Sequence, residues 1–91
     1  MNKADLIDAV AEDSDLTKTS AARALDSAIE NITNALKGGN SVTLVGFGTF
    51  TVRQREARMG RNPRTGEAIQ IKASRVPGFK AGKALKDALN S

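Results

Sequence analysis

Gly60-Arg61-Asn62-Pro63-Arg64-Thr65-Gly66 is a turn sequence with almost no apolar content. Around it, between Arg53 and Arg75, stand seven basic side chains, Arg53, Arg55, Arg58, Arg61, Arg64, Lys72 and Arg75, against only Glu56 and Glu67. Thr49-Phe50-Thr51-Val52 leads into this stretch as a strand, and residues 68–76 return through Ile69 and Ile71, two β-branched residues on one face. The pattern predicts a long β-ribbon with a cationic surface and a proline at its tip. Each strand of about ten residues spans roughly 33 Å at ~3.3 Å per residue. A two-stranded ribbon standing alone is marginal in water, so this one is expected to be mobile until it has something to lie on.

Upstream of the ribbon, Val42 and Leu44 alternate with Ser41 and Thr43 as a short half-buried strand, and Gly46-Phe47-Gly48 punctuates. Two helices come first. Asn2 caps one, with Asp5 completing a capping-box pair, and its stripe is Leu6, Ile7 and Val10. Thr17 caps a longer one, whose apolar positions Ala21, Leu25, Ala28, Ile29, Ile32 and Leu36 fall at i, i+4, i+7, i+8, i+11 and i+15. Gly38-Gly39-Asn40 stops it. Downstream, Pro77-Gly78 is expected to end the third strand, and Ala81 to Leu89 forms a last helix with Ala84, Leu85, Ala88 and Leu89 as its stripe. The fold class is α+β, in the order αα-βββ-α: a helical base, a three-stranded antiparallel sheet drawn out into a long arm, and a short C-terminal helix. Residues 1–91 make one domain, with a helical part at 1–40, a body at 41–52 and 76–91, and the arm at 53–75.

If residues 53–75 protrude, the remainder is a very small body. Below roughly 70–80 residues a single core rarely supplies more than ~3–5 kcal/mol. Cysteine and histidine are absent, which removes disulfides and the usual zinc sets. Oligomerisation is the remedy left, and Leu25, Ile29, Ile32, Phe47, Phe50 and Phe79 are the expected shared core of an obligate dimer. No metal and no cofactor are expected. The apolar runs are too short for a signal peptide or a membrane span, which makes the cytoplasm the expected compartment.

The net charge of +4 is unevenly spread. Residues 1–52 hold four basic and seven acidic side chains, residues 53–75 seven and two, and residues 76–91 add Lys80, Lys83 and Lys86 against Asp87. The second half therefore carries the field that attracts a polyanion. Arginine presents a planar fork of donors matched to phosphate oxygens and base edges, so a ribbon that concentrates arginines is a device for gripping nucleic acid. Pro63 presets φ for a turn, and as a rigid apolar ring at the tip it also has the form of a wedge for a base step. Lys80, Lys83 and Lys86, read as one face of the last helix, form a second phosphate-contacting patch.

Other functions fit less well. Gly46 and Gly48 do not make a dinucleotide loop, because Thr51 stands where the third glycine belongs and a strand follows. The aromatics Phe47, Phe50 and Phe79 lie outside the tip, against a single-strand binder that stacks bases. Without His, Cys, Trp or Tyr, and with carboxylates mostly on the acidic helices, catalysis has no constellation to use. A ribbon adding a strand to a protein partner is the rival reading, opposed by arginines on both sides of the hairpin. A lipid-surface helix calls for large apolar residues, where the last helix has mostly alanine.

Four segments together resemble the bacterial histone-like HU family over the whole chain. They are Asn2-Lys3-x-x-Leu6-Ile7, Leu44-Val45-Gly46-Phe47-Gly48-Thr49-Phe50, the tip from Gly60 to Gly66, and Val76-Pro77-x-Phe79-Lys80-x-Gly82-Lys83-Ala84-Leu85-Lys86-Asp87. The resemblance implies an intertwined homodimer whose arms embrace duplex DNA through the minor groove, and a tip proline, here Pro63, that intercalates and kinks it; HU is a standard example of such architectural binding. It also implies backbone or groove contacts from Lys3, Arg53, Arg55, Arg58, Arg61, Lys80, Lys83 and Lys86, to which the charge pattern adds Arg64, Lys72 and Arg75, and the tip sequence Asn62. The implied partners are double-stranded DNA, preferably bent, nicked or flexible, and a second copy of the chain or a paralogue; the implied location is the nucleoid. Integration host factor, the sequence-selective relative, has an arginine in one subunit just before its Gly-Phe-Gly turn, where this chain has Val45, so sequence-tolerant binding is expected. Arg64 is basic where many HU proteins carry glutamine, which points to stronger binding of the same type.

Overall fold

A computed structural model describes residues 1–91, which form two compact units, 1–35 and 36–91. In the first, α1 (Lys3–Asp13) starts at the expected capping box. Asn2 Oδ1 accepts from the Asp5 N–H at 2.9 Å, and Asp5 Oδ2 accepts from the Asn2 N–H at 3.1 Å. Asp15 takes the left-handed conformation after the helix, φ 54°, while the Leu16 N–H reaches back to the Ala11 carbonyl at 2.9 Å. That is a Schellman-type ending, with aspartate where glycine is commoner. Thr17 then caps α2 (Lys18–Lys37) by accepting from the Ser20 N–H at 3.1 Å. Two ion pairs, Lys3 to Asp26 and Lys18 to Asp8, lie in this unit.

The second unit begins inside the last turn of α2. Its sheet has the order β1-β2-β5, all antiparallel, from β1 (Val42–Leu44), β2 (Gly48–Arg55) and β5 (Ser74–Ala81). A separate two-stranded sheet joins β3 (Arg58–Arg61) to β4 (Ala68–Ile71). The arm is thus ribbon throughout, yet its ladder is interrupted on both sides at one level, at Glu56-Ala57 and at Lys72-Ala73. α3 (Lys83–Leu89) closes the chain.

Three boundaries differ from the sequence reading. Residues 68–76 are two strands and not one. Pro77-Gly78 does not end a strand, because β5 runs through it to Ala81, with Pro77 opposite Val52. β5 is an edge strand, and proline is tolerated there because one row of N–H groups has no ladder partner. As a result Lys80 stands on β5, opposite Thr49, and not on the last helix, which Gly82 caps.

Register sorts the side chains by face. Val42, Leu44, Phe50, Val52, Pro77 and Phe79 share one side of the three-stranded sheet, and Thr43, Thr49, Thr51, Arg53, Arg55 and Lys80 share the other. The Phe79 ring packs against Phe50 and Phe47, with centroids 4.9 and 5.5 Å away. It also lies over buried Gly48: a Cβ built there falls 2.4 Å from the ring and 2.7 Å from the Lys80 carbonyl oxygen. Gly48→Ala is therefore expected to destabilise the protein by about 1–3 kcal/mol through overpacking, read as a lower urea midpoint with an unchanged slope.

Neither unit encloses a core of large side chains. The fully or nearly enclosed apolar residues are alanines, Ala21 at 0% and Ala11 at 6% exposure, whereas Ile29, Phe47 and Phe79 keep nearly half their surface open. Leu25, Ile32 and Phe50 are half-buried. The α2 stripe and the aromatic sheet face have the chemistry of an interior without its cover.

Candidate nucleic-acid interface

The polar face of the three-stranded sheet sets Arg53, Arg55 and Lys80 among threonines, with Thr43 and Thr49 hydroxyls 3.3 Å apart across the first pair of strands. Alternation places the cations there: residues 49, 51, 53 and 55 of β2 share one parity, and register brings residues 74, 76, 78 and 80 of β5 to the same side. In the distal sheet Arg58 shares a face with Gly60, Ile69 and Ile71, and Arg61 shares the other with Met59, Ala68 and Gln70. Both faces of the distal ribbon therefore carry an arginine, as the sequence suggested. Lys72 stands in the interruption between β4 and β5, and Lys83 and Lys86, three residues apart on α3, occupy neighbouring positions on one side of that helix.

The tip is built by its own polar groups. Asn62 and Glu67 close the hairpin through an N–H to carbonyl bond of 2.8 Å, and the Gly66 N–H returns to the Asn62 carbonyl at 2.7 Å. The Asn62 side-chain oxygen accepts from the Arg64 N–H at 2.9 Å, and Thr65 Oγ1 accepts from the Glu67 N–H at 3.3 Å. Gly66 has φ +73° with open space around it, so the backbone conformation and not crowding calls for glycine there. Pro63 and Arg64 are exposed at the turn, and neither side chain takes part in this frame.

Charge compensation is absent where the cations gather. Both ion pairs lie within residues 1–35, and no cationic side chain from Arg53 onward has a carboxylate within 4.0 Å. Unneutralised guanidinium groups strung along an extended ribbon present a line of positive potential to a polyanion. Two of the expected contacts have protein partners instead. Lys3 belongs to the first unit and is paired with Asp26. Arg75 lies opposite Gln54, on the aromatic side of the sheet, and its guanidinium donates to the Lys37 carbonyl at 2.7 Å. Parity gave a signal for this, since residues 75, 77 and 79 alternate together and Phe79 faces inward. The role of Thr49 and Thr51 in framing the cationic face had no such signal beyond the same alternation.

The profile of a family described as bacterial DNA-binding protein matches residues 1–90. The DNA-binding protein HU-beta of Pseudomonas aeruginosa is 63% identical over 90 residues, covering 99% of this chain and 100% of that one. The DNA-binding protein HU of Staphylococcus aureus is 62% identical over 89 residues, covering 98% and 99%. Among solved structures, the Anabaena HU–DNA cocrystal structure superposes with a TM-score of 0.87 at 50% identity, covering 98% of this chain and 97% of that one. HU from Thermotoga maritima superposes with a TM-score of 0.71 at 37% identity, covering 98% of each.

Proposed function

The chain belongs to the bacterial DNA-binding protein family, and on that premise we propose that it is a non-enzymatic, histone-like dimer that binds double-stranded DNA with little sequence preference, bends it and compacts the nucleoid. The observation that carries this reading is the unpaired cationic line along β2, β5 and the distal ribbon, from Arg53 and Arg55 to Arg58 and Arg61. Phosphate neutralisation supplies affinity and is indifferent to sequence. Arg61 and Arg64 stand on either side of Pro63, where their guanidinium groups can sense the width of the minor groove. Lys80, Lys83 and Lys86 extend the phosphate contacts. Lys3 adds one more, at the cost of its bond to Asp26.

The uncovered faces of the two units support dimerisation. A second copy supplies the apolar surface that Ile29, Phe47 and Phe79 lack within one chain. Strand addition to a protein partner fits less well, because Arg58 and Arg61 put a charge on each face of the distal ribbon.

Pro63 acts as the wedge. Its ring enters a base step, unstacks it at a cost of a few kcal/mol and opens a kink that lets more of the protein meet the duplex. DNA that is already nicked or flexible lowers that cost and is preferred. Because Asn62, Thr65 and Gly66 hold the hairpin, Pro63→Ala keeps the tip's shape. The expected result is nearly unchanged affinity for straight duplex, a smaller bend in a fluorescence-transfer assay, and loss of much of the preference for nicked DNA. An unchanged bend together with an unchanged nick preference returns Pro63 to the role of turn former, and binding of single strands as tight as duplex counts against the whole reading.

A further inference from the structure

Arg75 stands out among the basic residues of the arm because its guanidinium has a protein partner. That partner is the carbonyl of Lys37, the last residue of α2, where carbonyls run out of intrahelical donors. A cation at a helix C-terminus also meets the negative end of the helix dipole. Gly38 and Gly39 follow, and Gly39 is already in the left-handed region at φ +82°, so the chain turns away at once. No neighbouring side chain of α2 bonds the Lys37 oxygen; the bond comes from a residue 38 positions on.

The position of Arg75 in the ribbon gives the bond its meaning. Arg75 pairs with Gln54, one rung before the last rung of the proximal ladder, Arg55 with Ser74. Beyond that rung both strands leave the ladder, at Glu56-Ala57 and Lys72-Ala73, before the distal sheet begins. The root of the arm is therefore tied to the end of α2 immediately below the place where the ribbon's own hydrogen bonding lapses.

We propose that Arg75 is a positioning residue: its guanidinium latches the arm's root to the C-terminus of α2, so that Arg53 and Arg55 are held at a fixed attitude while the distal ribbon articulates at the interruption. Arg75 spends its charge within the protein and not on a phosphate. The latch itself stands on the Lys37 bond alone; its effect on DNA rests on the function proposed above.

Arg75→Gln tests both halves. In the free protein, amide relaxation by nuclear magnetic resonance is expected to show residues 53–55 and 74–76 as rigid as Phe50 and Phe79, and to show the 74–76 amides becoming mobile in Arg75→Gln while Phe50 and Phe79 do not change. This measurement needs no DNA, so a failure of the DNA-binding reading leaves it standing. With duplex DNA, the salt slope of Arg75→Gln is expected to match that of the unmodified protein within half a unit, while affinity for nicked duplex falls about tenfold, the scale of one lost hydrogen bond to a charged group, and the bend angle decreases. Arg75→Lys keeps the charge but not the fork, and is expected to recover little of the bend. A slope flattened by one unit or more in Arg75→Gln makes Arg75 a phosphate contact and overturns the latch. Unchanged relaxation at the root overturns it as well and, where the unmodified protein bends duplex DNA, so does an unchanged bend or full recovery by lysine. Melting curves of both variants within a few degrees of the unmodified protein establish that the comparison is between folded proteins.

Discussion

Phe79→Ala is expected to leave a protein that no longer folds at micromolar concentration. Phe79 is the hub of the aromatic cluster: its ring meets Phe50 at 4.9 Å and Phe47 at 5.5 Å, and lies over Gly48. Truncating a packed phenylalanine costs about 3–5 kcal/mol. In the proposed dimer the loss occurs twice, roughly 6–10 kcal/mol, against a total stability of about 5–15 kcal/mol for a typical domain. Nothing else is available to compensate, since the residues most enclosed within one chain are alanines and a glycine. Circular dichroism melts at several concentrations measure this. The unmodified protein should melt at higher temperature as concentration rises, and Phe79→Ala should show little cooperative transition. A folded Phe79→Ala monomer melting within a few degrees of the unmodified protein would remove the shared core and, with it, the dimer.

The second large effect is electrostatic. If the dimer neutralises about 6–8 phosphates, log K against log salt should have a slope of about −5 to −7, at ~0.9 per phosphate. Replacing Arg53 and Arg55 together by Ala removes two contacts from each protomer, so the slope should flatten by about 3–4. Thr49, Thr51 and the ladder remain, so the sheet itself should survive. Lys18→Ala is the control, because that ammonium already faces Asp8 in the first unit and should leave the slope where it was. A slope near zero in the unmodified protein would favour a protein partner. An unflattened slope in the double variant would move the contacts away from the polar face of the sheet.

Helix starts were legible because their signals are local. Asn2 with Asp5, and Thr17, cap as their chemistry requires, and the six-residue stripe of α2 needs no tertiary information to be seen. The cationic ribbon was equally plain from composition. The interruption of the arm was not, since Glu56-Ala57 and Lys72-Ala73 contain neither glycine nor proline, and the weak strand propensity of Glu, Ala and Lys is too faint a signal to stop a ladder by itself. Pro77-Gly78 misled for the opposite reason: the pair is a strong local stop signal, overridden because β5 lies at an edge and pairs with β2 on one side only. That error displaced Lys80 onto the helix and hid its place on the same face of the sheet as Arg53 and Arg55. Arg75 illustrates what composition leaves out. Its charge reads the same as that of its neighbours, and only parity relative to Phe79 separates it from them. Charge is a property of a residue, whereas the face on which it acts is a property of the register.

The four hydrogen bonds of the tip loop have a consequence for how such a protein diversifies. They run between Asn62, Gly66 and Glu67, from the Glu67 N–H to Thr65 Oγ1, and from the main-chain N–H of residue 64 to Asn62 Oδ1, so the side chains at positions 63 and 64 make none of the bonds that hold the loop. Mutation there changes the chemistry offered at the tip while the scaffold keeps its geometry. Residues 62, 65 and 66 are constrained by the need to build the loop, whereas 64, and 63 beyond the φ that its proline ring presets, answer to what the loop touches. The tip thus behaves as a two-letter cassette, in which lineages can retune the grip of the arm one substitution at a time without passing through an unfolded hairpin.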